Sequence, residues 1–184
     1  MSRVLWGITG SGDKIQEILD AMRTLKGFEG VKIYVIVSRA AEQMLRQYRL
    51  WETLNASFNR VTKETNANVP FVAGPLQVGH YDIFVVAPLT ANSTAKIAYG
   101  IADTLITNAV AQTLKGSTPV LVYPVDQHPG VVETVAPDGA TYKIRTRQVD
   151  LRNVDALRHM EGIIVVSRPE DIPDTVKSLL TSTR

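Results

Sequence analysis

Five consecutive apolar residues, Ile83 to Ala87, stand mid-chain between Asp82 and Pro88. A short apolar run bounded by polar and turn-forming residues is the pattern of a strand buried on both faces. Such a strand needs helices on both sides of a sheet, and so a parallel α/β arrangement. The run opens into Pro88-Leu89-Thr90-Ala91-Asn92-Ser93-Thr94, small and polar residues placed where a parallel strand ends. In open α/β sheets ligands bind in the crevice outside those strand ends. A helix is expected to start within Ser93 to Lys96, with a second one after Gly100-Ile101-Ala102-Asp103. The stretch from Tyr81 to Leu105 is therefore read as the floor of a ligand site.

The rest of the chain supplies the partners. Strands are predicted at Val4 to Ile8, Val31 to Val37, Pro119 to Val125 and Ile163 to Val166. Helices are predicted from Lys14 to Lys26, Ala40 to Arg49, Asp103 to Leu114, Asn153 to Met160 and Ile172 to Leu180. In the first helix, Ile15, Ile18, Leu19, Met22 and Leu25 keep the three-and-four spacing of one buried face. Asp103, and either Asp150 or Asn153, are candidate caps. Leu50 to Val69 is poorly legible: Trp51, Leu54 and Phe58 keep helical spacing, Asn66 to Asn68 suggest a loop, and Val69 to Val72 a short extended piece. Gly74 to His80 is expected to be a loop. Pro137-Asp138-Gly139 between two β-rich runs, 131–136 and 140–146, signals a hairpin added to the parallel plan. The fold expected is one α/β domain over 1–184, doubly wound around a mostly parallel, Rossmann-like sheet, with a hairpin insertion at about 131–146.

Composition narrows the chemistry. The chain has no cysteine, which removes disulfides, thiolate metal sites and a cysteine nucleophile. The formal charge is +2 and no basic cluster stands out, so nucleic acid is not an expected partner. There is neither a signal-peptide core nor a membrane-length apolar run, and the expected location is the cytoplasm.

Three places carry candidate binding groups. Gly10-Ser11-Gly12, after the first strand, lets backbone N–H groups approach an anion at a helix start; alone it also reads as a tight turn. It lacks the third glycine of a dinucleotide fingerprint, and Ser38 rather than an acid closes the second strand, so one phosphate suits it better than a pyrophosphate. Ser38 and Arg39 could serve that phosphate, or Ser38 could cap a helix with Arg39 in solvent. Asn92 offers a donor and an acceptor, or a cap for the helix behind it, or both. His80 reads as a surface loop residue at a strand entry and His159, on a helix beside Met160, as structural; His128, in the loop after a strand end, could reach a ligand or be solvated.

The segments GITGSGDK, Ser38 after the second strand, APLTANSTAKIAYGIADTLITNA and PVLVYPVD resemble, in this order, the flavoprotein family that includes phosphopantothenoylcysteine decarboxylase, lantibiotic cysteine decarboxylases and flavin prenyltransferase. The Gly-Ser-Gly-Asp-Lys loop and the segment VDLRNVDALRHMEGIIVVSRPEDI are most similar to its archaeoflavoprotein and dihydromethanopterin reductase group. The resemblance implies FMN, with the phosphate on Gly10, Ser11 and Ser38, and with Thr9, Gly12, Lys14 and Arg39 close by. The ring would lie along Pro88, Leu89, Thr90, Ala91 and Asn92, with Asn92 and His128 as candidate catalytic residues. It implies homo-oligomers built from trimers, with a neighbour completing the ring site. The missing cysteine and the unmatched surroundings of His80 depart from the decarboxylases. The expected activity is FMN-dependent reduction of dihydromethanopterin, or a related dihydropterin, by electrons from NAD(P)H or a ferredoxin-like donor. A flavin electron carrier working with ferredoxin is the alternative, and a cysteinyl-peptide decarboxylase ranks below both.

Overall fold

Six parallel strands lie in the order β3-β2-β1-β4-β5-β8. The computed structural model describes residues 1–58 and 60–182, so the expected domain span ends just beyond it. The strands are β1 (Ser2–Ile8), β2 (Val31–Val37), β3 (Val61–Lys63), β4 (Ile83–Leu89), β5 (Val120–Pro124) and β8 (Ile163–Val165). A separate hairpin pairs β6 (Val131–Val135) with β7 (Thr141–Arg145). The helices are α1 (Ile15–Lys26), α2 (Arg39–Gln47), α3 (Trp51–Ser57), α4 (Ala73–Gln77), α5 (Ala91–Ala98), α6 (Leu105–Thr113), α7 (Gln148–Arg158) and α8 (Ile172–Ser182).

Alternation along the strands divides the core in two. Val4, Trp6, Ile8, Ile83, Val85 and Ala87 pack against α1, α2, α3 and α8. Leu5, Phe84, Val86, Val120 and Val122 pack against α4, α5, α6 and α7. All seven residues of β4 are buried, as the apolar run demanded. The β4–β5 register shifts between Val86 and Leu89, and Leu89 joins the second core, out of phase with Ala87. An irregular strand end leaves carbonyls off the ladder, and buried carbonyls need donors. Trp6 Nε1 donates to the Ala87 carbonyl at 2.8 Å, and Thr9 Oγ1 to the Pro88 carbonyl at 2.7 Å.

Several expected boundaries move, each for a local reason. Helix α5 begins at Ala91, earlier than Ser93, because Thr90 is its cap and accepts from Ser93 N. Thr104, not Asp103, caps α6 through a reciprocal pair with Thr107. Helix α7 starts at Gln148, earlier than Asn153. Asp150 sits in its first turn, accepting from the Arg147 N–H and side chain, so neither Asp150 nor Asn153 is the cap residue. The expected loop 74–80 contains α4, whose Leu76 fills the second core. The expected extended piece at Val69 to Val72 forms no strand: Val69 makes an isolated bridge to Asn66 across a turn at 67–68, and 70–72 are irregular. β3 was missed because three residues carry too little periodicity to register. Among the described residues no helix is long and apolar enough to cross a membrane, and no group of three or more His, Cys, Asp or Glu side chains is placed to hold a metal.

Candidate functional site

The strand order reverses direction between β1 and β4, the position where open α/β sheets form their crevice. A cleft of about 610 Å³ lies there, within the usual range for small-molecule sites. Thr9 and Gly10 reach it from β1, Ser38 and Arg39 from β2, Glu64 from β3, and Thr90 and Asn92 from β4. Asn66, Asp103 and Thr104 form its far wall.

Each wall is held by a specific contact. Thr9 bridges the two sides of the switch point: its hydroxyl donates to the Pro88 carbonyl and accepts from Thr90 N at 2.9 Å. Gly10 is required by close packing, since a Cβ there would lie 2.6 Å from the Ala40 Cβ. Ser38 Oγ accepts from Ala41 N at 3.0 Å, so it caps α2, and its hydroxyl proton is left to donate. The cap reading of Ser38 is thus met, and the capping bond does not use up its hydroxyl. The N–H groups of Gly10 and Gly12 meet no acceptor among the described residues, which suits an anion at the first loop.

Not every expected contact lines the cleft. Pro88 and Leu89 are buried strand residues, because β4 runs on to Leu89; they position Thr9 and the floor from behind. Ser11 is half-buried beside the cleft; its Oγ accepts from Asp13 N and its N–H donates to the Thr9 carbonyl. Gly12 and Lys14 face a neighbouring recess, bounded by the hairpin, instead of the cleft. A Cβ on Gly12 would strike the Tyr48 hydroxyl and ring at 2.3–2.5 Å, and that hydroxyl donates to the Val135 carbonyl at 2.8 Å. Lys14 adopts a left-handed backbone, φ 56°, and pairs with Glu17 at 3.0 Å, so its charge is already met. The Arg39 guanidinium donates to the Thr65 carbonyl instead of standing free. Ala91 starts α5 and is partly buried, while Asn92 is exposed on the first turn and needed for no cap. His128 is exposed, outside the cleft, with Nε2 3.3 Å from the Ser167 carbonyl. His80 and His159 are also exposed, and His159 Nδ1 lies 2.8 Å from the Asp155 carbonyl of its own helix.

Glu64 was not anticipated. Its Oε1 accepts from Leu105 N at 2.7 Å and its Oε2 from Arg39 N at 3.0 Å, joining the starts of α6 and α2. Only an assignment of β3 would have put an acid at that strand end. Asp103 pairs with Lys96 at 2.8 Å, which holds its carboxyl below the ordinary range.

The sequence profile of the flavoprotein family matches residues 1–182. The chain belongs to the flavoprotein family. This flavoprotein is 47% identical over 176 residues to an uncharacterized protein of Methanocaldococcus jannaschii, covering 96% of this chain and 95% of that one. It is 37% identical over 142 residues to the dihydromethanopterin reductase (acceptor) of the same organism, covering 73% of this chain and 58% of that protein. The crystal structure of Burkholderia xenovorans DmrB in complex with FMN, described as a cubic protein cage for redox transfer, superposes with a TM-score of 0.81. Sequence identity there is 32%, and the alignment covers 99% of this chain and 97% of DmrB. The expected fold and family are thus borne out.

Proposed function

We propose that this flavoprotein is an FMN-dependent reductase that converts a dihydropterin of the methanopterin type to its tetrahydro form. The observation that carries the reading is the switch-point cleft, which offers a one-phosphate anchor in a chain alike along its whole length to an FMN-bound DmrB. Gly10, Ser11 and Ser38 would hold the phosphate, with Thr9 keeping the first loop against β4. Thr90, Ala91 and Asn92 would flank the ring. Bound FMN supplies the two-electron chemistry; the protein binds, orients and shields it. Asn92, exposed at the cleft with no hydrogen bond among the described residues, is free to orient the acceptor.

The assembly belongs to the same reading. Tyr99 and Ile101, 75% and 48% exposed, lie on the α5–α6 connection that leads into Asp103 and Thr104 of the cleft wall. An apolar rim beside a ligand site suits cover by a second copy, in a homo-oligomer built from trimers. NAD(P)H or a ferredoxin-like protein would supply electrons, and the setting would be the cytoplasm.

The test is anaerobic. The purified protein is reconstituted with FMN, reduced, and mixed with dihydromethanopterin. Reoxidation of the flavin with formation of the tetrahydro product is expected. Reoxidation by ferredoxin but never by the pterin would replace the enzyme by an electron carrier, and failure to bind FMN would remove both.

A further inference from the structure

We propose that the face of β2 and β3 beside α4 holds a second ligand site, apart from the cleft, for a small aromatic anion: one flat ring carrying a phosphate or carboxylate. A strand presents alternate residues to the two sides of its sheet, and parallel neighbours in register share a side. Leu5 pairs with Tyr34, and Val35 N donates to the Arg60 carbonyl, which sets Arg60 beside Tyr34. Arg3 and Lys32 form the row before them. Leu76 of α4 and Ile106 and Val110 of α6 bury Leu5 and Phe84 on this side, but Tyr34 is only partly buried and Arg60 is exposed. What is left open is a cavity of about 250 Å³, room for a single ring, lined by Tyr34, Tyr81, Phe71 and Pro75 together with Arg60 and Thr62. It shares no lining residue with the cleft.

The walls are aromatic and the charges are unpaired. Tyr34 and Tyr81 meet edge to face, with ring centroids 5.6 Å apart at 76°. Phe71, 70% exposed, leans on Gly74, where a Cβ would come within 2.9 Å of the ring. Rings held in this way offer faces and edges to a further ring. The side chains of Arg3, Lys32 and Arg60 make no hydrogen bond or ion pair among the described residues. Asp82, at the end of this row, accepts instead from the Arg3 backbone N–H. Elsewhere Arg46, Lys63, Lys96 and Arg147 each have a carboxylate. Burial raises the Tyr81 hydroxyl while Arg60 and Arg3 oppose that rise, so the positive field reaches into the slot. Arg60 also borders an adjoining hollow of about 320 Å³ with Tyr34 and Lys32. A guanidinium takes a phosphate or carboxylate in its planar fork. Small-molecule sites pair such a group with mostly apolar walls. The anion would lie on Arg60 and Lys32, and the ring between Tyr34, Tyr81 and Phe71.

The experiment titrates phenyl phosphate, phenol and inorganic phosphate into the full chain by calorimetry, with and without added FMN. Wild type, Arg60→Gln and Phe71→Ala are compared, with thermal melts and sedimentation alongside. Phenyl phosphate is expected to bind wild type at least about tenfold more tightly than either half of it, and FMN to leave that affinity unchanged. Arg60→Gln is expected to cut phenyl phosphate affinity by about tenfold or more, the scale of one hydrogen bond to a charged group, and to spare phenol. Phe71→Ala should weaken phenyl phosphate and phenol together and spare inorganic phosphate. Both side chains are exposed, so melting temperatures should hold. Wild type that ignores phenyl phosphate at millimolar concentration, or takes inorganic phosphate as tightly, would overturn the proposal. Wild-type affinity in Arg60→Gln would do the same. Competition by FMN would put the ligand in the cleft instead, and a changed oligomeric mass in either variant would make this face a subunit contact; either result sinks the second site.

Discussion

The carboxyl edge of the sheet has two halves built on opposite electrostatic terms. On the cleft side the lining holds hydroxyls, free N–H groups and two carboxylates: Glu64, which two backbone donors satisfy, and Asp103, which pairs with Lys96. On the β5 side, below the hairpin, Asp13 and Asp126 are about half-buried, and burial pushes both carboxyls up. Asp126 has no hydrogen bond among the described residues, and the nearby Asp150 and Asp13 raise it further. Burial, and after it the nearby Asp13, Glu17 and Glu170, raises the Tyr123 hydroxyl. An acid is tolerated at a strand end in both halves. Only on the cleft side does backbone at two helix starts, α2 and α6, hold it in place.

The largest break in this contrast is expected from Gly10→Ala. The new methyl would collide with Ala40 at backbone and side chain alike, so α2 must move. Overpacking of this kind costs about 1–3 kcal/mol, and flavin affinity should fall at least about a hundredfold as Ser38 shifts away, measured by flavin titration. Gly12→Ala meets only the Tyr48 ring, which can swing, so it should loosen the hairpin and spare most of the FMN affinity. Equal damage from the two would show that the first loop acts as one unit.

Thr9→Val comes next. It keeps the shape but strips the donor from the Pro88 carbonyl and the acceptor from Thr90 N. Leaving buried partners unmet costs about 1–3 kcal/mol, seen as a lower midpoint in chemical denaturation, and flavin binding should weaken because floor and loop are no longer stapled.

The β5 side can be tested by pH. Burial raises Asp126 in the folded chain, so the folded state holds that proton more tightly than the unfolded one. Its contribution to stability is then best below the ordinary 3.8 and falls as pH rises through the raised folded value. Asp150 has the opposite sign: the Arg147 side chain lowers it, so its contribution is full above 3.8 and is lost as pH falls through the lowered folded value. Asp126→Asn should therefore melt above wild type at neutral pH, with the gap closing towards acid, while Asp150→Asn melts below it. A lower melting temperature for Asp126→Asn at neutral pH would show that the carboxylate has a partner that stabilises it.

The smallest stability effect is expected at Asn92. Since Thr90 caps α5, Asn92→Ala should change stability by less than about 0.5 kcal/mol. Turnover with the dihydropterin should still fall. A loss near 1 kcal/mol, the usual worth of a cap, would return Asn92 to a structural role.

Much of this was legible from the chain alone. The run Ile83 to Ala87 required a strand covered on both faces, and helix periodicity in Ile15 to Leu25 located α1 closely. The Pro137-Asp138-Gly139 turn placed the hairpin, because turn chemistry is local. Gly10, Ser38, Arg39 and Asn92 are named from their strand-end positions, Thr9 and Thr90 through the family resemblance, and all line the cleft. Local pattern determined these because each depends on neighbours within a few residues.

The tertiary structure decided what depends on distant partners. Thr9 matters through Pro88 and Thr90, Gly12 through Tyr48 and the hairpin, and Glu64 through two helix starts, α2 and α6. Lys14 and Glu17 are close in sequence, yet only the left-handed turn at Lys14 shows that its charge is directed away from the cleft. Spacing along a chain records faces of helices and strands; it does not record which strand ends meet. That meeting set the role of every group at this carboxyl edge.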